Sequence, residues 1–185
     1  ITKAADDAAG LAISENMRAQ IRSIGQANRN ANDGISMIQV AEGGMNEVSN
    51  ILVRMRELSI QGASDTIGDK ERSFIDKEVS ALREEVDRIA KTTEFNGTYL
   101  LNGEGEKLEF QIGIHNRPDM DRLYYDTQEQ NVTLDGLGLG EISTNSREQA
   151  QENLAIIDTA ITAVNENRSD LGALQNRINS TISNL

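Results

Sequence analysis

Apolar side chains return every seven residues near the end of the chain, at Ala150, Ile157, Val164, Leu171, Ile178 and Leu185. Leu154, Ile161 and Ile182 fill the intermediate positions, and Arg168 and Gln175 interrupt them. This is the pattern of a coiled-coil seam, with polar residues at two places where register can be fixed. Ser146 and Gln149 have the spacing of a capping box, so the pattern predicts a helix from about Asn145 to the end. A second run, Ile75, Val79, Leu82, Val86 and Ile89, steps by four and three along one helix face. Its other faces carry Lys77, Glu78, Arg83, Glu84, Glu85, Asp87 and Arg88, the charges of a solvated surface. Leu11, Met17, Ile21, Ile24, Ala31, Ile35, Ile38, Met45, Val48, Leu52, Met55 and Leu58 step mostly by three, four or seven, with no Pro among them. They predict a first helix from about Thr2 to Gln61. At 1.5 Å per residue it is ~90 Å long. A compact domain of this mass has a diameter of gyration of ~32 Å, so the expected shape is a rod.

Residues 62–68 are rich in turn formers and separate the first two helices. After the second helix the period changes to two. Thr98–Leu101 and the alternation Leu108, Phe110, Ile112, Ile114 predict a β-hairpin closed by Gly103–Glu106. Leu123–Tyr125 and Asn131–Leu134 are expected as short strands, and Gly136, Gly138 and Gly140 mark a loop. No linker is long enough to separate two domains. The expected organisation is one mainly α rod domain. Residues 1–114 hold the first helices and hairpin, 115–142 a short variable segment, and 143–185 the returning helix.

Composition narrows the function classes. The chain has 185 residues, a net charge of −12, no Cys, no Trp, one His and only six aromatics (three Tyr, three Phe). Without cysteine it is neither a disulfide scaffold nor a Cys-rich zinc module. The acidic balance disfavours duplex DNA. No run reaches the ~18 apolar residues of a membrane span. The apolar fraction of 37% lies below the ~45–50% of ordinary globular chains, which fits helices packed around thin seams.

Catalytic chemistry finds little support. His115 stands alone beside the turn Asn116–Asp119, and no second His or Cys completes a metal site or nucleophile relay. Adjacent pairs such as Asp6-Asp7 and Glu84-Glu85 point about 100° apart on a helix and do not converge. No catalytic, cofactor or metal residue is expected. More informative is Gln26-Ala27-Asn28-Arg29-Asn30-Ala31-Asn32-Asp33, which puts poor helix formers through a helix interior. Two readings fit it equally: a solvated strip, or a flat polar subunit contact formed by Asn28, Arg29, Asn30, Asn32 and Asp33.

Several ordered motifs carry a resemblance. Lys3–Ile13, Asn28–Ser36, Val53–Gln61, Thr93–Gly97 and Leu171–Ser180 resemble, in order, the conserved segments of bacterial flagellin, the subunit of the flagellar filament. Most of the chain is covered, about residues 1–114 and 143–185. The resemblance implies a rod of long antiparallel helices with a small β-hairpin region, its two conserved ends packed together. It implies a structural protein that self-assembles with other flagellin subunits for motility. It also implies an extracellular place in the filament, reached through the flagellar type III export route. Nucleic acid, membrane and cofactor are not implied as partners. Segment 115–142 is short where many flagellins carry outer domains. The outermost terminal segments of the family also look missing, so the chain is expected to be a soluble fragment.

The resemblance further implies a host partner, the Toll-like receptor that senses flagellin. The matching positions are Arg54, Arg56, Glu57, Leu58 and Glu78. Arg54 would supply bidentate hydrogen bonds, Leu58 an apolar anchor and Glu78 an acceptor. Ala81 and Leu82 depart from the pattern of a well-recognised flagellin, which implies weakened recognition. The structural alternative is that Leu58 belongs to the apolar stripe and Arg54 and Glu78 to packing between subunits. Two other identities fit the periodicity: a hook-filament junction protein, and an acidic helical secreted adaptor or effector.

Overall fold

The computed structural model describes residues 8–185. The predicted helix start at Thr2, and the first motif from Lys3 to Asp7, lie outside the described residues. In chain order the elements are α1 (Ala8–Gly62), α2 (Asp69–Thr92), β1 (Glu94–Phe95), β2 (Thr98–Tyr99), β3 (Lys107–Gln111), α3 (Pro118–Asp121), β4 (Arg122–Asp126) and α4 (Arg147–Asn184). The protein is mainly α, with long antiparallel helices and small β-hairpins.

Packing groups the described residues into two units, and each of the long helices α1 and α4 contributes to both. The larger unit holds residues 37–108 and 126–173. Its seam is built from the heptad positions. Ile38, Met45, Val48, Leu52 and Met55 of α1, Val79 and Val86 of α2, and Ala150, Ile157 and Val164 of α4 are fully buried. Burying one such aliphatic side chain is worth ~1.5–3 kcal/mol, so these stripes hold the three helices together. Direction follows from the side-chain pairs. Arg56 of α1 meets Asp158 of α4 at 2.6 Å, and Glu42 meets Arg168 at 3.9 Å. As α1 advances, α4 recedes, so within this unit the two run antiparallel. The smaller unit gathers residues up to Ser36 with 109–125 and 174–185. There Ala27, Ala31, Ile112, Leu123, Tyr125 and Ile178 form the buried cluster. Farther up α1 the stripe is uncovered: Ile13, Met17 and Ile21 are 56%, 59% and 70% exposed.

The helix signals survive closely. The capping box opens α4 as its spacing predicts. Gln149 N donates to Ser146 Oγ at 3.2 Å, and Ser146 N donates to Gln149 Oε1 at 3.2 Å. The strand pairing requires correction. Thr98–Leu101 does not pair with the 108–114 segment. β1 pairs with β2 instead, Glu94 opposite Tyr99 and Phe95 opposite Thr98. The turn is Asn96-Gly97, with φ of +51° and +79°. Both values are left-handed, the conformation that a two-residue hairpin turn needs and that Asn-Gly tolerates. β3 pairs with β4. Leu100 and Leu101 are core residues outside any strand. Asn131–Leu134 is also not a strand. Asn131 Oδ1 accepts from Thr133 N at 3.0 Å and from Thr133 Oγ1 at 2.7 Å, and this local turn competes with extension.

Candidate functional site

The first surface joins α1 and α2 within the larger unit. Arg54 donates to Glu78 Oε1 from Nε at 3.0 Å and from Nη2 at 2.7 Å, and to Glu57 Oε2 from Nη1 at 3.2 Å. Glu78 first, then Glu57, raises the Arg54 guanidinium above its ordinary pKa, so the charge is fixed. Arg54, Glu57 and Glu78 are all exposed. Exposed pairs of this kind contribute little to stability, which leaves them available for recognition. Arg56 turns the other way: its Nε donates to Asp158 on α4 at 2.6 Å, and that bond lowers the Asp158 carboxyl pKa. Leu58 is 2% exposed. It belongs to the seam, so it does not project as an apolar anchor. Close by in sequence on the same two helices, Val53, Ile60 and Phe74 are exposed, with Lys77 Nζ lying 5.7 Å from the Phe74 ring centre.

The second surface is the amide-rich stretch of α1 in the smaller unit. Arg29 donates to Gln26 Oε1 from Nε at 3.2 Å and from Nη2 at 2.6 Å. Gln26 Nε2 donates to Asn30 Oδ1 at 2.8 Å, and Asn30 Nδ2 donates to the Gln111 carbonyl at 3.0 Å. Asn32 Nδ2 bonds back to the Asn28 carbonyl at 2.8 Å. Asn30 is thus committed inside the chain, anchoring the β3 end to α1. Arg29, Asn32 and Asp33 face solvent, and Asn28 is half-buried. The poor helix formers are held by a side-chain ladder along the helix and across to the β segment.

Sequence reasoning missed a third polar arrangement, on α2. Arg72, Asp76 and Arg83 lie four and seven residues apart, on one helix face. Buried Arg72 donates to the carbonyls of Gly62 and Ser64 at 3.0 and 3.2 Å, closing the turn after α1. Asp76 Oδ1 accepts from Ser143 Oγ at 2.9 Å and Thr144 N at 2.7 Å, and Oδ2 accepts from Asn145 Nδ2 at 3.0 Å. Arg83 Nη1 donates to the Gly140 carbonyl at 2.8 Å. These three side chains tie two loops to α2. The available signal was the i, i+4 spacing of Arg72 and Asp76 together with the capping residues Ser143-Thr144-Asn145.

Among the described residues, no group of three His or acidic side chains is placed to hold a metal ion, and no helix is long and apolar enough to cross a membrane. His115 is exposed on the segment between β3 and α3. The geometry offers rigid polar helix faces and tightly packed seams, which suit protein–protein association.

Known proteins agree with this chemistry. The bacterial flagellin N-terminal helical region matches residues 1–106, and the bacterial flagellin C-terminal helical region matches residues 154–185. A flagellin of Halalkalibacterium halodurans is 42% identical over 185 residues, covering 100% of this chain and 67% of that protein. The flagellar filament 30.7 kDa core protein of Treponema maltophilum is 43% identical over 192 residues, covering 96% of this chain and 66% of its own. The chain spans about two thirds of the length of these curated relatives. The crystal structure of Bacillus cereus flagellin superposes with a TM-score of 0.75 at 28% identity, covering 85% of this chain and 89% of that one. A Vibrio parahaemolyticus protein designated flagellar hook-associated superposes at 0.77, covering 98% and 93%; at 15% identity this likeness concerns the fold alone.

Proposed function

The chain belongs to the bacterial flagellin family, and from that premise we propose that it is a structural subunit of the flagellar filament. The observation that carries this is the match, along nearly its whole length, to a filament core protein at 43% identity. Packing is consistent: α1 and α4 bury complementary apolar stripes and leave polar faces outside. Arg29, Asn32 and Asp33, with the half-buried Asn28, would contact a neighbouring subunit. Asn30 would hold that face in shape through Gln111. The filament is extracellular, and export through the flagellar type III route is part of the same reading.

The test is immunogold electron microscopy of source cells with antibody to residues 1–185. Label along the whole filament is expected. A single patch at the filament base would favour a hook-filament junction protein. Bare filaments with label elsewhere would overturn the proposal in favour of a secreted adaptor.

A finer part of the proposal is recognition by the host Toll-like receptor that senses flagellin. The exposed Arg54–Glu57–Glu78 cluster, flanked by Val53, Ile60 and Phe74, supports it. Arg56 and Leu58 would act indirectly, Arg56 through Asp158 and Leu58 by packing α1. Arg54→Ala and Glu78→Ala should each weaken binding to the receptor ectodomain roughly tenfold, the hot-spot range, with helicity unchanged. Unchanged binding in both variants would sink this part.

A further inference from the structure

The sequence holds two Asn-Gly dipeptides, Asn96-Gly97 and Asn102-Gly103. This is the dipeptide in which an asparagine side chain is least shielded from its own main chain, because glycine has no Cβ. The structure treats the two very differently. Asn96 and Gly97 are both exposed at the tip of the β1–β2 hairpin. Among the described residues, neither the Asn96 side chain nor the Gly97 N–H has a hydrogen-bond partner, and a Cβ on Gly97 would meet nothing within 4 Å. The hairpin has two residues per strand, and so short a ladder is marginal by itself. Its base is closed by the bond from Leu100 N to the Thr93 carbonyl at 3.0 Å, so the tip can open without disturbing the helices.

Asn102-Gly103 is held. Asn102 Oδ1 accepts from Glu104 N at 3.0 Å. The open side of Gly103 faces the Asn131 side chain, so closely that a Cβ there would lie 2.5 Å from Asn131 Cγ. The preceding Leu101 is fully buried, and its carbonyl accepts from Val132 N at 3.0 Å.

From this contrast we propose that Asn96 is a site of spontaneous deamidation and that the fold protects Asn102 from the same reaction. The Gly97 amide nitrogen loses its proton and attacks Asn96 Cγ. The new N–Cγ bond closes a succinimide, and the Cγ–Nδ2 bond breaks, releasing ammonia. Water then opens either carbonyl, giving aspartate or isoaspartate. Each product adds one negative charge to a chain already at −12. Isoaspartate also inserts a methylene into the main chain, which the two-residue turn between Phe95 and Thr98 cannot accommodate. The isoaspartate product therefore unpairs β1 from β2 while leaving the helices intact, and the reaction marks the age of the molecule after synthesis.

The test incubates the full chain at body temperature and mildly alkaline pH, beside a synthetic peptide of residues 93–107 that carries both sites without the fold. Peptide mapping by mass spectrometry follows the amide-to-acid change at each position. Isoaspartyl methyltransferase labelling reports the isoaspartate share. In the peptide the two sites should convert at comparable rates. In the folded chain Asn96 should convert at least about tenfold faster than Asn102, the ratio that ~1.4 kcal/mol of extra protection produces. A folded-chain ratio equal to the peptide's would overturn the proposal. So would faster conversion at Asn102, or no conversion at Asn96 over a period that consumes the peptide.

Discussion

Two adjacent glycines in the middle of α1 should respond differently to the same substitution. A helix-interior glycine costs ~0.8–1.0 kcal/mol relative to alanine, through lost backbone freedom. Gly43→Ala recovers that amount without penalty, because nothing lies within 4 Å of the new Cβ. Gly44→Ala recovers the same amount but drives the Cβ to 2.8 Å from both Leu101 Cδ1 and Thr93 Oγ1, and to 3.2 Å from Thr93 Cγ2. Neither neighbour yields cheaply. Leu101 is fully buried, and Thr93 Oγ1 is tied to the Ile89 carbonyl at 2.7 Å. Overpacking of this kind costs ~1–3 kcal/mol, so the net effect ranges from about zero to a loss of ~2 kcal/mol. Thermal unfolding followed by circular dichroism separates the two. At ~2–4 °C per kcal/mol for a chain of this size, Gly43→Ala should raise Tm by about 2–4 °C. Gly44→Ala should leave it unchanged or lower it by as much as ~8 °C. Equal stabilisation by both alanines would refute the reasoning, since it would mean that Leu101 and Thr93 do not constrain α1.

Three further outcomes are expected. Ser146→Ala removes half of the capping box at the start of α4 and should cost ~1 kcal/mol in urea unfolding, with Ser146→Gly costing less. Asp76→Ala leaves Thr144 N and the Ser143 and Asn145 side chains without their acceptor, and should cost roughly 1–3 kcal/mol; an unchanged midpoint would show that water replaces the carboxylate. Asp121 is 4% exposed. Burial opposes its charged form, but hydrogen bonds and charge from Arg117 outweigh burial and hold its pKa below the usual value. A carboxyl depressed in the folded state stabilises above its unfolded pKa of ~3.9 and loses that contribution as pH falls through the folded value. Protection of the amides across residues 111–122, measured relative to their intrinsic exchange rates, should therefore fall in acid, and Asp121→Asn should abolish that pH step.

The helices were legible because the seven-residue repeat answers directly to burial. Ala150, Ile157, Val164, Leu171 and Ile178 are each exposed by no more than 1%. Ser146 and Gln149 announced the α4 start because capping is a local bargain between neighbours. Strand pairing departs from the alternation pattern because turn chemistry decides it. Asn96-Gly97 is a strong two-residue turn signal, and the apolar pair Leu100-Leu101 fills the core and lies outside any strand. Arg54, Glu57 and Glu78 pair with one another on the exposed side of α1 and α2, a juxtaposition across 24 residues that the sequence did not display. Leu58 did not project, since one residue cannot both fill the seam and present an anchor. The ties from Arg72, Asp76 and Arg83 left only a faint trace, the i, i+4 spacing of the first two: their partners are loop groups, mostly main-chain, and those of Asp76 and Arg83 lie 57–69 residues away.

Those ties also order events in time. Arg54 reaches Glu78 across 24 residues, whereas Asp76 reaches Ser143 across 67 and Arg56 reaches Asp158 across 102. Loop-closure entropy grows with separation, so distant contacts form only once nearer ones have reduced their cost. The α1–α2 hairpin should therefore be the early structure, and α4 should dock last, onto a face that α2 has already prepared. Kinetically, substitutions in the α4 seam should mainly speed unfolding and leave the folding rate near its original value. A chain arrested before that step would hold its first two helices paired while the long apolar stripe of α1 still waited for its second partner.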